Sequence, residues 1–282
     1  MNNHYIVTTT NENELYYKFL PTVYQMWKNH IPNCVFVLGV ISDKDENSEF
    51  IKRCKVFCDK FYQFKTIDKI DQGIQAKITR MFLSSIFLEN ICTVVDIDFY
   101  VINKEWLLDN IKESFTYNKF VSIGYNLYQN TPHYGKFPMA MTTAPGYIWK
   151  KIINDNDLNY QSWINNLTCL EDPIDHKENP TNTFYRFSDE SVLRYFLVTH
   201  KDQKFIKSVW INKKREDVRP GSTMRCDKRI DRSEWKLFDM KKLENNYYID
   251  SQPLRPFDRY FTNFLPILKK MNIKGSKNEI FF

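Results

Sequence analysis

Residues Cys34–Ile41 (CVFVLGVI) are apolar along their whole length, so a strand formed there must be covered on both faces. A second stretch, Ile91–Ile102, reads as another buried strand. The short β-branched and aromatic run His4–Thr10 comes first and breaks at Asn11-Glu12-Asn13. The segments between these runs supply the cover. Leu15, Phe19, Val23, Met26 and Trp27 recur at helical spacing within Glu14–Asn29, where Pro21 predicts a kink. Phe50–Lys60 is a short amphipathic helix or connector, and Gly73–Leu88 is a helix. Strands alternating with helices build βαβ units around a mostly parallel sheet, which makes the chain α/β.

The pattern loosens after residue 102. Trp106–Lys112 and Gly146–Ile153 read as helices and Phe120–Leu127 as a strand. Leu170–Phe184, rich in Pro, Asn and acids, is a long loop. A helix starts at Ser188, another covers Pro256–Lys269, and a polar tail begins at Lys274. With no repeat and no linker, residues 1–282 are expected to form a single composite domain.

Several classes fall away on composition. Aromatic residues make up 16% of the chain, which excludes disorder, and 7 Gly with 11 Pro exclude low-complexity sequence. The longest strongly apolar run is far short of the ~20 residues that span a bilayer. Met1-Asn2-Asn3-His4 shows neither a cationic patch nor an apolar leader, so a cytoplasmic location with reduced cysteines is expected. The net charge of +6 suits an anionic small substrate better than nucleic acid. In the basic run Asn212–Arg232 the interspersed acids point to a solvated surface. Three Ala among abundant Asn, Lys, Ile, Phe and Tyr suggest an A/T-rich genome.

The sharpest chemical feature is Val94-Val95-Asp96-Ile97-Asp98-Phe99. If the strand continues through it, Asp96 and Asp98 point to the same side. Two like charges held together call for a cation, and Mn²⁺ or Mg²⁺ shared with substrate phosphates meets that need. The alternative is that they cap the strand or pair with nearby Lys and Arg. The preceding helix carries Lys77 and Arg80 on one flank of its apolar stripe, placed either to hold a diphosphate or pair with Asp96, or as a solvated basic edge. In Ser188-Asp189-Glu190-Ser191, acids in a first turn suit the helix dipole. Yet Val192, Leu193 and Phe196 define the buried face, and Asp189 lies in the middle of it with Glu190 displaced toward its edge. Asp189, with Glu190 second, is therefore the candidate general base.

These elements together resemble GT-A type glycosyltransferases, of the GT8-like and large-DNA-virus kinds. The resemblance rests on the first strand ending in Thr8-Thr9-Thr10, the strand Cys34–Ile41, the helix GIQAKITRMFL, VVDIDFY, MAMTTAPGYIW and FSDESVL. It implies a Rossmann-like fold with a mixed, mostly parallel central sheet flanked by helices. Residues 1–102 would form a donor half, and residues 103–282 an acceptor half with a helical and loop extension. It also implies transfer from a nucleoside-diphosphate sugar, UDP-sugar first, to a hydroxyl on a glycan or protein. By this resemblance Thr8, Thr9 and Thr10 lie near base and ribose, and Asp96 and Asp98 hold metal and diphosphate. Thr143 and Gly146 lie against the donor sugar, unless theirs is an ordinary strand-to-helix turn. The run Tyr248–Phe257 stands where relatives often place a metal-binding His; it has none, which leaves Asp250 as a candidate metal ligand and Arg255 as a candidate phosphate ligand.

The rival enzyme is a phosphatase of the haloacid dehalogenase kind, whose nucleophile also sits in a D-x-D strand. That family expects a small residue and Thr or Val afterwards, on the first strand; here Phe99 and Tyr100 follow, two strands precede, and no later G-D-x-x-x-D occurs. A non-catalytic nucleotide-sugar or glycan-binding module is the other alternative.

Overall fold

The computed structural model describes residues 3–68, 70–123, 138–168, 189–200, 206–209, 228–230 and 232–273. The loop Leu170–Phe184, Ser188, the tail from Lys274 and most of Asn212–Arg232 lie outside the described residues.

The first strand, β1 (His4–Asn11), is followed by two short helices, α1 (Glu14–Tyr17) and α2 (Leu20–His30), where the sequence predicts one kinked helix. Pro21 sits in the first turn of α2, where its missing N–H is not needed, so the chain breaks and restarts there. Then come β2 (Val35–Ile41), α3 (Glu49–Val56), β3 (Lys60–Phe64), α4 (Gln72–Ile86) and β4 (Ile91–Val94). Strand β1 pairs in parallel with both β2 and β4, and β2 with β3.

The expected strand Ile91–Ile102 is in fact interrupted. Val95 is the last residue bonded to β1, through its N–H to the Val7 carbonyl (3.0 Å). The chain turns at Asp96–Phe99 and resumes as β5 (Tyr100–Val101) in another sheet. Helix α5 (Lys104–Thr116) and strands β6 (Phe120–Ile123) and β7 (Thr142–Pro145) follow, with α6 (Gly146–Ile153), α7 (Tyr160–Thr168), α8 (Asp189–Thr199) and β8 (Ile206–Val209). The main sheet runs β3-β2-β1-β4-β7-β6-β8, with only β7 reversed among these strands. The chain ends with β9 (Arg229–Ile230), a 3-10 turn (Arg232–Leu237), α9 (Met240–Glu244), β10 (Asp250–Ser251) and α10 (Phe257–Lys270). The small second sheet is β5-β10-β9. The architecture is mixed α/β, with a central, mostly parallel sheet flanked by helices.

Alternation in the strands divides the core. Ile6, Phe36, Leu38 and Val40 pack with Trp27, Phe257 and Phe264 on one face. Tyr5, Val7 and Val37 pack with Met81, Leu83 and Trp149 on the other. Helix α4 lies between the sheet and α6 and α8, so its buried surface extends beyond the single apolar stripe of the sequence pattern. Cys34, Cys54 and Cys92 are buried free thiols and Cys58 is a half-buried one. Among the described residues no helix is long and apolar enough to cross a membrane.

Gly146 is required by packing. A Cβ there would lie 2.1 Å from the Phe87 carbonyl oxygen and 2.5 Å from its carbon, backbone atoms that cannot swing aside. Gly146→Ala is expected to reach or exceed the upper end of the roughly 1–3 kcal/mol typical of overpacking, read by urea unfolding. Gly146 follows Pro145, which pairs with Ile91 at the end of β4 opposite Asp96, so the substitution acts on packing away from the turn that carries that acid.

Candidate functional site

Parallel strands place their carboxyl ends on one edge of the sheet, and such edges are where open α/β folds bind ligands. Here that edge opens into a cleft of about 860 Å³. Thr9, Thr10 and Asn11 from the end of β1 line it, with Tyr16 from α1 and Gly73, Ile74, Ala76 and Lys77 from the start of α4. Asp96 and Asp98 enter from the turn after β4, Asp189 and Glu190 from the first turn of α8. The interruption after Val95 supplies the other wall. Because β5 leaves the main sheet to pair with β10, the residues after β10, Gln252 and Arg255, arrive beside the two acids together with Arg232.

At the centre is Arg80, 4% exposed. Its Nη1 donates to Asp96 Oδ1 and its Nη2 to Asp189 Oδ2, while Nε donates to the Lys77 carbonyl (3.1 Å). Burial alone would loosen the guanidinium's hold on its proton, but Asp96 and Asp189 outweigh it and raise its pKa above the usual arginine value. The same opposition acts on Asp96. Burial pushes its carboxyl up, and Arg80, helped by Lys77 and Arg255, holds it below the ordinary carboxylate value. Lys77 and Arg80 are thus not equivalent: Arg80 is buried in an acid–base–acid bridge and Lys77 is exposed at the cleft wall.

Asp98 is 3% exposed and belongs to a second cluster. Its Oδ2 accepts from Arg232 Nη2 (2.6 Å), from Arg255 Nε (2.9 Å) and from Arg255 Nη2. The Arg255 guanidinium also lies over the Tyr16 ring, 3.9 Å from its centroid. Gln252 Nε2 approaches Asp96 Oδ2 at 3.4 Å. The pairing with arginine that the sequence left open as an alternative is therefore present at both acids. Their common direction comes from a turn, not from strand alternation.

Other predicted site residues sit elsewhere. Thr9 and Thr10 line the cleft, but Thr8 is fully buried and its hydroxyl donates to the Val95 carbonyl (3.1 Å). Thr143 is buried in a polar chain through the sheet: its hydroxyl meets that of Thr93 (2.8 Å), which meets His4 Nε2 (2.7 Å). Burial lowers the His4 pKa to about 3, so this ring is neutral. Asp250 is fully buried, and Arg229 Nε donates to its Oδ1 (2.6 Å). Thr8, Thr143, Gly146 and Asp250 thus lie outside the cleft lining. Arg229 and Arg232 carry the reverse lesson, since one is buried and the other faces the cleft rather than forming part of a solvated run.

Asp96 and Asp98 are the donor set that a divalent cation would meet in the cleft. Two carboxylates face one space, and the described residues contain no cluster of three or more His, Cys, Asp or Glu able to chelate a metal. Two hard oxygen donors supply about a third of an octahedral shell, which fits Mn²⁺ or Mg²⁺ when phosphate and water complete it. Among the described residues the lining also holds six carboxylates (Glu12, Asp71, Asp96, Asp98, Asp189, Glu190) against four cations (Lys77, Arg80, Arg232, Arg255). A highly charged anion would enter such a wall more readily with a cation beside it.

No family model and no curated protein matches this sequence. Solved structures that resemble the chain include the glycosyltransferase GlyE of Streptococcus pneumoniae TIGR4 (11% identity, TM-score 0.45) and S. aureus TarS (11%, 0.39). Another is the galactosyltransferase LgtC in complex with donor and acceptor sugar analogs (10%, 0.44). These similarities cover 74%, 74% and 97% of this chain. The chain spans 45% of GlyE and 35% of TarS, less than half of each, and 98% of LgtC.

Proposed function

We propose that this protein transfers a sugar from a nucleoside-diphosphate sugar, UDP-sugars being the first to test, to a hydroxyl of a glycan or protein, with Mn²⁺ or Mg²⁺. The observation that carries the reading is the cleft at the carboxyl edge of the sheet, where Asp96 and Asp98 stand among Lys77, Arg80, Arg232 and Arg255. An ordinary carboxylate ligand would not need so many guanidinium groups, whereas a diphosphate presents oxygens on two phosphorus atoms.

In this reading Thr9, Thr10, Asn11 and Tyr16 receive the nucleoside end. Asp96 and Asp98 would hold the metal, which supplies Lewis-acid neutralisation of the departing diphosphate. Lys77 adds a mobile positive charge at the cleft wall. Asp189 is committed to Arg80, so accepting a proton there would break a buried ion pair. Its role is to orient: the Arg80–Asp189 pair offers donors and an acceptor to sugar hydroxyls. Glu190, in the same first turn and in the cleft lining, is then the proton acceptor for the attacking hydroxyl.

The test is thermal unfolding with UDP, GDP and CDP, each with and without Mn²⁺. A ligand at a hundredfold excess over its Kd should stabilise the fold by about 2.7 kcal/mol. One nucleotide giving a metal-dependent rise in Tm is the expected result. No rise with any pair removes the donor assignment.

A further inference from the structure

We propose that Arg232 and Arg255 form a diphosphate clamp that rests on Asp98 when the cleft is empty and moves to phosphate when a donor binds, freeing Asp98 to face a divalent cation. The proposal deepens the nucleotide-sugar reading above and rests on it.

The local charge is unbalanced. One carboxylate, Asp98, faces two guanidiniums, and three of their N–H groups converge on the same oxygen. A divalent cation approaching Asp98 in this state meets an oxygen already taken by two guanidiniums. The guanidiniums keep capacity for another anion. Each arginine has five N–H donors. Arg232 directs Nε to the Pro253 carbonyl (3.1 Å) and Nη2 to Asp98, and Arg255 directs Nε and Nη2 to Asp98, so among the described residues Nη1 is left in both cases for a ligand. Their side chains are 33% and 21% exposed against 4% for Asp98, and both line the cleft. The two groups are also held in place independently of Asp98, Arg232 by the Pro253 carbonyl and Arg255 by the Tyr16 ring. They need only rotate, and phosphate oxygens offer the planar forks a bidentate match.

The consequence is coupling. A diphosphate that draws both guanidiniums away raises the affinity of Asp98 for a cation, and by reciprocity the cation raises the affinity for the diphosphate. Arg232 is then a positioning residue for the metal as well as a ligand for phosphate.

Pyrophosphate binding would be measured calorimetrically in EDTA, UDP binding in Mn²⁺, and Mn²⁺ binding alone by electron paramagnetic resonance. The proteins are wild type, Arg232→Gln, Arg255→Gln and Arg232→Lys. Arg232→Gln and Arg255→Gln should weaken pyrophosphate binding by about tenfold to a hundredfold, the range for a lost charged hydrogen bond. Arg232→Gln should also tighten binding of Mn²⁺ alone several-fold, whereas damage to the fold would weaken both ligands. Arg232→Lys keeps the charge and should recover part of the pyrophosphate affinity, which covers the case of a Gln variant that folds poorly. Unchanged pyrophosphate affinity in both Gln variants, or Mn²⁺ affinity that does not rise in Arg232→Gln, overturns the clamp. Arginine-dependent pyrophosphate binding with no nucleoside diphosphate bound would keep the clamp and remove the nucleotide-sugar reading. UDP binding insensitive to both arginines would do the reverse, and binding of neither ligand removes both.

Discussion

Replacing Arg80 with Met is expected to cost about 3–5 kcal/mol of folding stability and to remove the proposed sugar transfer, which makes it the most damaging single change at this site. The side chain is 4% exposed and bridges Asp96 and Asp189, whose side chains are 27% and 7% exposed. Methionine fills much of the same volume, so the loss reflects charge rather than a cavity. Asp189 is left with an uncompensated buried charge, and Asp96 loses the strongest of the interactions that hold its carboxyl down against burial. A carboxyl whose folded pKa lies below its unfolded one contributes stability above the unfolded value, and that contribution fades as the pH falls through the folded value. Arg80→Met removes this contribution from Asp96, so the gap between variant and wild type should hold from neutrality down to about pH 4 and narrow only below the ordinary aspartate value of 3.8. Urea unfolding at pH 7 and pH 3 reads both effects. The double variant Arg80→Met, Asp189→Asn should regain part of the stability without regaining activity, because the neutral amide no longer needs a counter-charge. An Arg80→Met protein as stable as wild type at pH 7 would mean that the acid–base–acid bridge is not formed in solution.

Much of the scaffold was legible because burial on two faces leaves little freedom. Cys34–Ile41 contains the interior strand β2, and α4, α6 and α10 fall where the sequence reads as helical. The failures share a cause, which is that hydrophobic pattern reports burial and not hydrogen-bonded partner. Ile97, Phe99 and Tyr100 are as buried as strand residues, in the core cluster that contains Phe257, so Ile91–Ile102 looked like one strand. They are instead buried in and just after a turn, because β5 has β10 as its partner rather than the main sheet. The reversal of β7 was equally invisible, since the four residues of TTAP carry no sign of direction.

At the site, residue types were easier to read than their pairing. Asp96, Asp98, Arg80, Arg255, Asp189 and Glu190 do converge on one cleft. Helical phase placed Asp189 inward, but which cation it meets depends on where α8 crosses α4, a tertiary fact. Gln252 and Arg232 were missed for the same reason: they reach the acids through the β5-β10-β9 sheet, whose two-residue strands leave no periodic trace. The runs around Thr143 and Gly146 were singled out by resemblance. Their burial and backbone packing supply a sufficient reason for those residue types without any ligand.

Asp98→Asn should separate chemistry from folding. At an effective dielectric near 20, opposite unit charges about 4 Å apart gain on the order of 4 kcal/mol, and losing that from the transition state of the proposed transfer would slow it roughly a thousandfold. The effect on the fold should be much smaller than for Arg80. Asp98 is itself buried, but the cations it leaves behind are a third and a fifth exposed, so water can hydrate Arg232 and Arg255 and the asparagine oxygen can still accept from one of them. A loss on the order of 1 kcal/mol in urea unfolding is therefore expected. The sign of anion binding should differ from that of catalysis. With one negative charge removed from beneath the two guanidiniums, metal-free pyrophosphate should bind more tightly to Asp98→Asn than to wild type even as transfer collapses. Simple damage to the cleft would weaken pyrophosphate and transfer together. A folded Asp98→Asn protein with full transfer would show that this acid takes no part in the chemistry and would leave Asp96, held by Arg80, as the acid on which the reading depends.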